Sequence, residues 1–211
     1  MTLNKTTALS GLYALTDTEL MPDDETMIRL VTEAIDGGVR ILQYRDKSGD
    51  DEKRFRQATQ LQALCQSRGV VFLINDDAKL AKACGASGVH LGQSDGAVPE
   101  ARALLGDAAI IGVTCHDQLS LAETALSQSA DYVAFGAFFP SKTKPNAKPA
   151  PMSIIHEAKS RFQCPVVAIG GITVDNAPQL IDQGVDMIAV VHSLFSAENV
   201  QQRAEAFTRS F

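Results

Sequence analysis

The four cysteines of this 211-residue chain, Cys65, Cys84, Cys115 and Cys164, lie far apart and form no CxxC pair. That spacing argues against a disulfide scaffold and for reduced, space-filling thiols in a cytoplasmic protein. No signal-peptide pattern is found, and no apolar run approaches the roughly eighteen residues that span a bilayer. The basic residues form no long run and the formal net charge is −6, which disfavours a nucleic-acid surface but leaves room for a local cationic pocket. Neither G-x-G-x-x-G nor a P-loop lysine follows any apolar run. No shift in composition marks a linker. What is present is 45% hydrophobic residues in a length that suits one domain over 1–211, with its core from 12 to 209.

Short apolar runs alternate with helical patterns from end to end. The runs predict strands over 12–15, 39–42, 70–74, 89–91, 110–114, 132–135, 165–169 and 187–191. Helical spacing fills 24–36, 51–68, a stretch from 78, then 97–105, 118–129, 152–161, 176–183 and 197–209. Near-continuous apolar strands alternating with helices predict an all-parallel sheet covered by helices, and eight strands close a barrel. The expected class is therefore α/β, a single (β/α)8 TIM barrel. A doubly wound open sheet competes, but its nucleotide-binding motifs are missing.

In a TIM barrel the chemistry sits on loops that follow the strands. Those positions hold Thr16 and Asp17; Gln43, Arg45 and Lys47; Asn75 and Asp76; Gln93 and Asp95; Thr114 and His116; Ser141, Thr143 and Lys144; Gly170 and Gly171; and Val191, His192 and Ser193. If the third and fourth strands are neighbours, Asp76 and Asp95 converge, and two carboxylates meeting at a point suit a hard cation such as Mg2+. The competing reading is that each caps the helix after it. Arg45 and Lys47 alternate along an extended segment and share a side, as phosphate ligands or as a solvated face. Gly170 and Gly171 stand where barrels often bind phosphate through backbone N–H groups, or form a plain tight turn. Lys144 lies on the long loop 136–151, either closing over ligand or lying free on the surface. Together the residues suggest a diphosphate held by Mg2+, Arg45, Lys47 and Lys144, and a monophosphate near Gly171. His90 and His156 are expected to be structural; His116 could reach the rim.

The stretches LYALTD (12–17), QYRDK (43–47), LINDD (73–77), GVHLGQSD (88–95), FGAFFPSKTKPNA (135–147) and AIGGI (168–172) resemble the thiamine phosphate synthase family. The likeness runs from Leu12 to Phe195. It implies coupling of 4-amino-5-hydroxymethyl-2-methylpyrimidine diphosphate with 4-methyl-5-(2-phosphoethyl)thiazole by Mg2+-assisted dissociative substitution. It implies Asp76 and Asp95 as metal ligands, and Arg45, Lys144 and Thr114 as catalytic residues. Gln43 would hold the pyrimidine; Lys47 and Asn75 would meet the diphosphate. Ser141, Thr143, Gly171 and the backbone at Val191 and His192 would hold the thiazole phosphate. Thr114 stands where the family commonly has Ser, and Ser141 where it has Thr, so both keep a hydroxyl. His192 replaces a Ser and adds bulk and a pH-sensitive charge. A thiazole tautomerase relative, a sugar-phosphate isomerase and a non-catalytic precursor carrier are the rivals. The partners implied are small molecules, with neither nucleic acid nor membrane; a homo-oligomer stays open.

Overall fold

The computed structural model describes residues 9–140 and 149–211. The first half of the chain runs β1 (Gly11–Leu15), α1 (Asp24–Asp36), β2 (Ile41–Tyr44), α2 (Asp51–Arg68), β3 (Val71–Asn75), α3 (Ala78–Cys84), β4 (Gly88–Leu91) and α4 (Val98–Leu105). The second runs β5 (Ile110–Thr114), α5 (Leu119–Ser127), β6 (Tyr132–Gly136), α6 (Ser153–Arg161), β7 (Val166–Ile169), α7 (Ala177–Ile181), β8 (Met187–Val190), α8 (His192–Phe195) and α9 (Val200–Thr208). Every strand pairs in parallel with its sequence neighbour. β8 then returns to β1, with Gly11 opposite Met187 and Ala14 opposite Val190, and closes the barrel. This is the expected (β/α)8 TIM barrel.

Local chemistry sets the element ends. Asp23 accepts a hydrogen bond from the Thr26 N–H and starts α1, while Gly37 ends it; Asp50 starts α2, and Gly69, at φ +68°, stops it. Several ends shift by a residue or two from expectation, and two differences are larger. The last helix starts at Val200 because Asn199 caps it by accepting from the Gln202 N–H. The turn after β8 winds into α8, a single turn too short to leave a periodic signal.

Alternation along the strands builds two apolar layers. Tyr13, Leu15, Ile41, Leu73, Tyr132, Ala134, Val167, Met187 and Ala189 fill the barrel interior. Leu12, Ala14, Leu42, Phe72, Ile74, Val133, Phe135 and Ile188 face the helices. At the N-terminal rim, Ser87, Asp131 and Asp186 each precede an even strand and accept the N–H of Phe72, Ile111 and Val166 from the preceding odd strand. Where the ring closes, α9 lies on α1: Thr208 Oγ1 donates to the Gly37 carbonyl, and a Cβ on Gly37 would collide with Gln201 and Ala204. Among the described residues, no helix is long and apolar enough to cross a membrane.

Candidate active site

β3 delivers Asn75 to the C-terminal rim, and the next residue, Asp76, takes a left-handed backbone at φ +63°. An aspartate there is strained relative to glycine. Its N–H is held by the His90 carbonyl of β4 at 2.8 Å. Asn75 Nδ2 (2.6 Å) and Lys47 Nζ (2.5 Å) both donate to Asp76 Oδ2. The helix cap is the neighbour: Asp77 Oδ1 accepts from the Leu80 N–H, and its Oδ2 binds Arg54 Nη2 at 2.9 Å. Nor does Asp95 cap α4, whose N-cap is Ala97 with no side-chain bond. The capping alternative is therefore not what these two carboxylates do. They converge instead on Gly92, where an added Cβ would overlap Asp95 Oδ2 and lie 3.9 Å from Asp76 Oδ1.

Oxygen donors on adjacent loops, with a glycine leaving the space between them, fit a hard divalent cation whose remaining ligands are phosphate and water. A self-contained protein site is absent: among the described residues, no group of three or more His, Cys, Asp or Glu gathers. A cavity of about 570 Å³ opens beside the pair, with Lys47, Asn75, Asp76 and Asp95 on its wall and Asp46, Arg54 and Asp77 beside them.

The β2 exit is fixed by β1. Thr16 Oγ1 accepts the Arg45 N–H at 2.8 Å and donates to the Arg45 carbonyl at 3.3 Å. Asp46 turns the other way and is buried. Burial pushes its carboxyl pKa up, but hydrogen bonds from Ser48 and Lys53 more than offset this and hold it below the ordinary range. Arg45 is half-buried and Lys47 is exposed.

Gln43 and Thr114 are joined by a buried polar line that sequence reasoning did not find. Gln43 Nε2 donates to Tyr13 Oη. Tyr13 Oη meets Tyr132 Oη at 3.0 Å. His90 Nδ1 meets Tyr132 Oη at 2.8 Å, and its Nε2 meets Thr114 Oγ1 at 2.8 Å. Gly112 makes room, since a Cβ there would fall inside the Tyr132 ring. Burial raises Tyr13 to about 12 and pushes Tyr132 well above an ordinary phenol, so both stay neutral. Burial also lowers His90 to about 4, against the pull of the Asp76 charge, so its imidazole is neutral at neutral pH. Gln43 Oε1 is buried with no partner among the described residues.

On the opposite side of the rim, Gly170 (φ +102°) and Gly171 (φ +64°) follow β7, and a Cβ on Gly171 would strike the carbonyls of Phe139 and Pro140. Asn176 Nδ2 donates to the Gly171 carbonyl. Val191 precedes the single turn of α8, in which His192 is half-buried and its carbonyl accepts from Ser196. Ser141, Thr143 and Lys144 lie outside the described residues. His116 is exposed, with its carbonyl accepting the Gly136 N–H, and His156 is exposed on α6. Asp17 accepts from the N–H groups of Glu19 and Leu20, which occupies it in its own turn.

Residues 12–194 match a family model described as thiamine monophosphate synthase. The chain is 54% identical over 194 residues to thiamine-phosphate synthase of Saccharophagus degradans, covering 92% of this chain and 89% of that one. Thiamine phosphate pyrophosphorylase from Pyrococcus furiosus superposes with a TM-score of 0.86 at 30% identity, covering 98% of this chain and 96% of that one. A 3-hexulose-6-phosphate synthase from Salmonella typhimurium gives a TM-score of 0.72 at 13% identity, covering 95% and 97%, a likeness of fold alone.

Proposed function

Since the chain belongs to the thiamine monophosphate synthase family, we propose that it couples 4-amino-5-hydroxymethyl-2-methylpyrimidine diphosphate to 4-methyl-5-(2-phosphoethyl)thiazole in thiamine biosynthesis. The products are thiamine phosphate and diphosphate. The observation that carries this reading is the approach of Asp76 and Asp95 over Gly92, with Lys47 and Asn75 on the same carboxylate. A Mg2+ ion between Asp76 and Asp95 would supply positive charge to the departing diphosphate.

The chain's own groups account for the rest. Lys47 and Arg45 bring cations and Asn75 an amide to the diphosphate oxygens, where they stabilise charge that grows as the methylene carbon–oxygen bond breaks. The aminopyrimidine supports the methylene cation, Gln43 orients that ring, and the Thr114 hydroxyl meets the diphosphate. Gly171 and the backbone at Val191 and His192, with Ser141 and Thr143, bind the thiazole phosphate. Lys144 adds a further cation. The thiazole nitrogen gives its lone pair to the methylene carbon and becomes a thiazolium, so no proton has to leave it. That chemistry needs no general base, and the neutral, buried His90 is not placed as one.

The test is direct: mix both precursors with Mg2+, follow diphosphate and thiamine phosphate, and repeat with the metal chelated. Both products should appear in equal amounts and stop with the chelator. Intact precursors in the complete mixture would refute the assignment.

A further inference from the structure

The line Gln43–Tyr13–Tyr132–His90–Thr114 draws on five strands: β2, β1, β6, β4 and β5. Each inner member can donate one hydrogen bond along the line and accept one: two phenols and an imidazole with a single N–H. Without water inside, such a line has two complete orderings. In one, hydrogens run from Gln43 Nε2 through Tyr13, Tyr132 and His90 to Thr114 Oγ1. Gln43 Oε1 is then a bare acceptor, and the Thr114 hydroxyl keeps its hydrogen for a ligand. In the other every bond reverses, so that Gln43 presents N–H and Thr114 presents a lone pair. The structure has Nε2 on Tyr13 and leaves Oε1 buried and unpartnered among the described residues, an orphan that only an incoming donor can satisfy.

We propose that this line makes Gln43 and Thr114 a single recognition device, with Tyr13, Tyr132 and His90 as positioning residues that set both ends to one polarity. The inference rests on the function proposed above. An exocyclic ring amine gives Oε1 its donor, and a phosphate oxygen takes the Thr114 hydrogen; both demands select the same ordering. A ring carrying an oxo group instead offers an acceptor to Gln43. It forces the reverse ordering, which turns a Thr114 lone pair onto the phosphate. A mismatch at one end is thus felt at the other, although the two residues lie on different strands and do not touch.

The test compares kcat/KM for the 4-amino pyrimidine diphosphate with that for its 4-oxo analogue, at saturating thiazole phosphate. Tyr132→Phe removes the central hydroxyl and keeps the ring over Gly112; Tyr13→Phe cuts the line one link nearer Gln43. The intact enzyme should favour the amine by about 100-fold or more, because a site built around a hydrogen bond rejects the analogue that cannot make it. Each variant should bring the ratio below about tenfold, with KM for the thiazole phosphate unchanged. The double variant should do no worse than either single one, since a line cut once is already cut. Calorimetric binding of the two diphosphates gives the same ratio for a variant too slow to assay. An intact ratio in both folded variants, or additive losses in the double one, overturns the proposal. An intact enzyme that fails to turn over the amine overturns the function itself, and this inference with it.

Discussion

Asp76 and Asp77 are adjacent carboxylates held by different partners. Asp77 is spent on a helix start and on Arg54, whereas Asp76, bent into the left-handed region, turns toward Asp95. Asp76→Ala should lower turnover at least about 100-fold, with little change in the urea midpoint, because it removes charge stabilisation and not packing. Asp77→Ala should do the reverse, costing about 1–2 kcal/mol of stability through the lost cap while keeping the metal requirement. Turnover and urea melts on the two variants check both halves. Nothing in N-D-D tells a sequence reader which aspartate caps. That choice comes from the positive φ at Asp76, which the His90 carbonyl on the next strand helps to hold. Tyr13, Tyr132 and His90 were illegible for a related reason. They sit inside apolar runs and look like core, and their partners are as much as 119 positions away.

Glycines at two strand-linked positions show how elements make space for the site. The Gly92 cradle follows β4 and borders only the flexible ends of two aspartates. Gly92→Ala should therefore weaken apparent Mg2+ affinity in the coupling assay while the melting temperature stays within a degree or two. An unchanged Mg2+ requirement in that variant would contradict the cradle. Gly112, inside β5, faces the rigid Tyr132 ring, which cannot yield without moving the barrel interior. Gly112→Ala should cost about 1–3 kcal/mol by overpacking, read from urea melts. At this scale the sequence was most legible where apolar runs met capping chemistry: α1 and α2 begin and end where Asp23, Gly37, Asp50 and Gly69 place them. It was least legible at α8, whose four residues complete barely one turn.

For the whole molecule, His90 ties folding to acidity. Its folded pKa of about 4 lies below the ordinary 6.5, so between those values the unfolded chain binds the proton more readily. Stability is then full above about pH 6.5 and falls by about 3 kcal/mol as the pH drops through that window. Asp24, held low by Arg56 and Gln57, and Asp46, held low by Ser48 and Lys53 against its burial, add a further loss in stronger acid. Urea midpoints taken with metal chelated should decline from pH 7 to 4, and His90→Gln should flatten that decline. A native profile already flat over the range would contradict the assignment.

The repeating strand–helix pattern invites the idea that the ring could be cut into two autonomous halves after α4. The polar line forbids it: Tyr13, Gln43 and His90 come from the first four strands, Thr114 and Tyr132 from the last four. The first fragment would carry the Tyr13 hydroxyl and the His90 imidazole, the second the Tyr132 and Thr114 hydroxyls, each parted from its mate on the other piece. Neither fragment has a reason to persist alone, and mixing the two should restore a folded ring only as both arrive together. For all its modular appearance, the barrel should therefore melt as one cooperative unit.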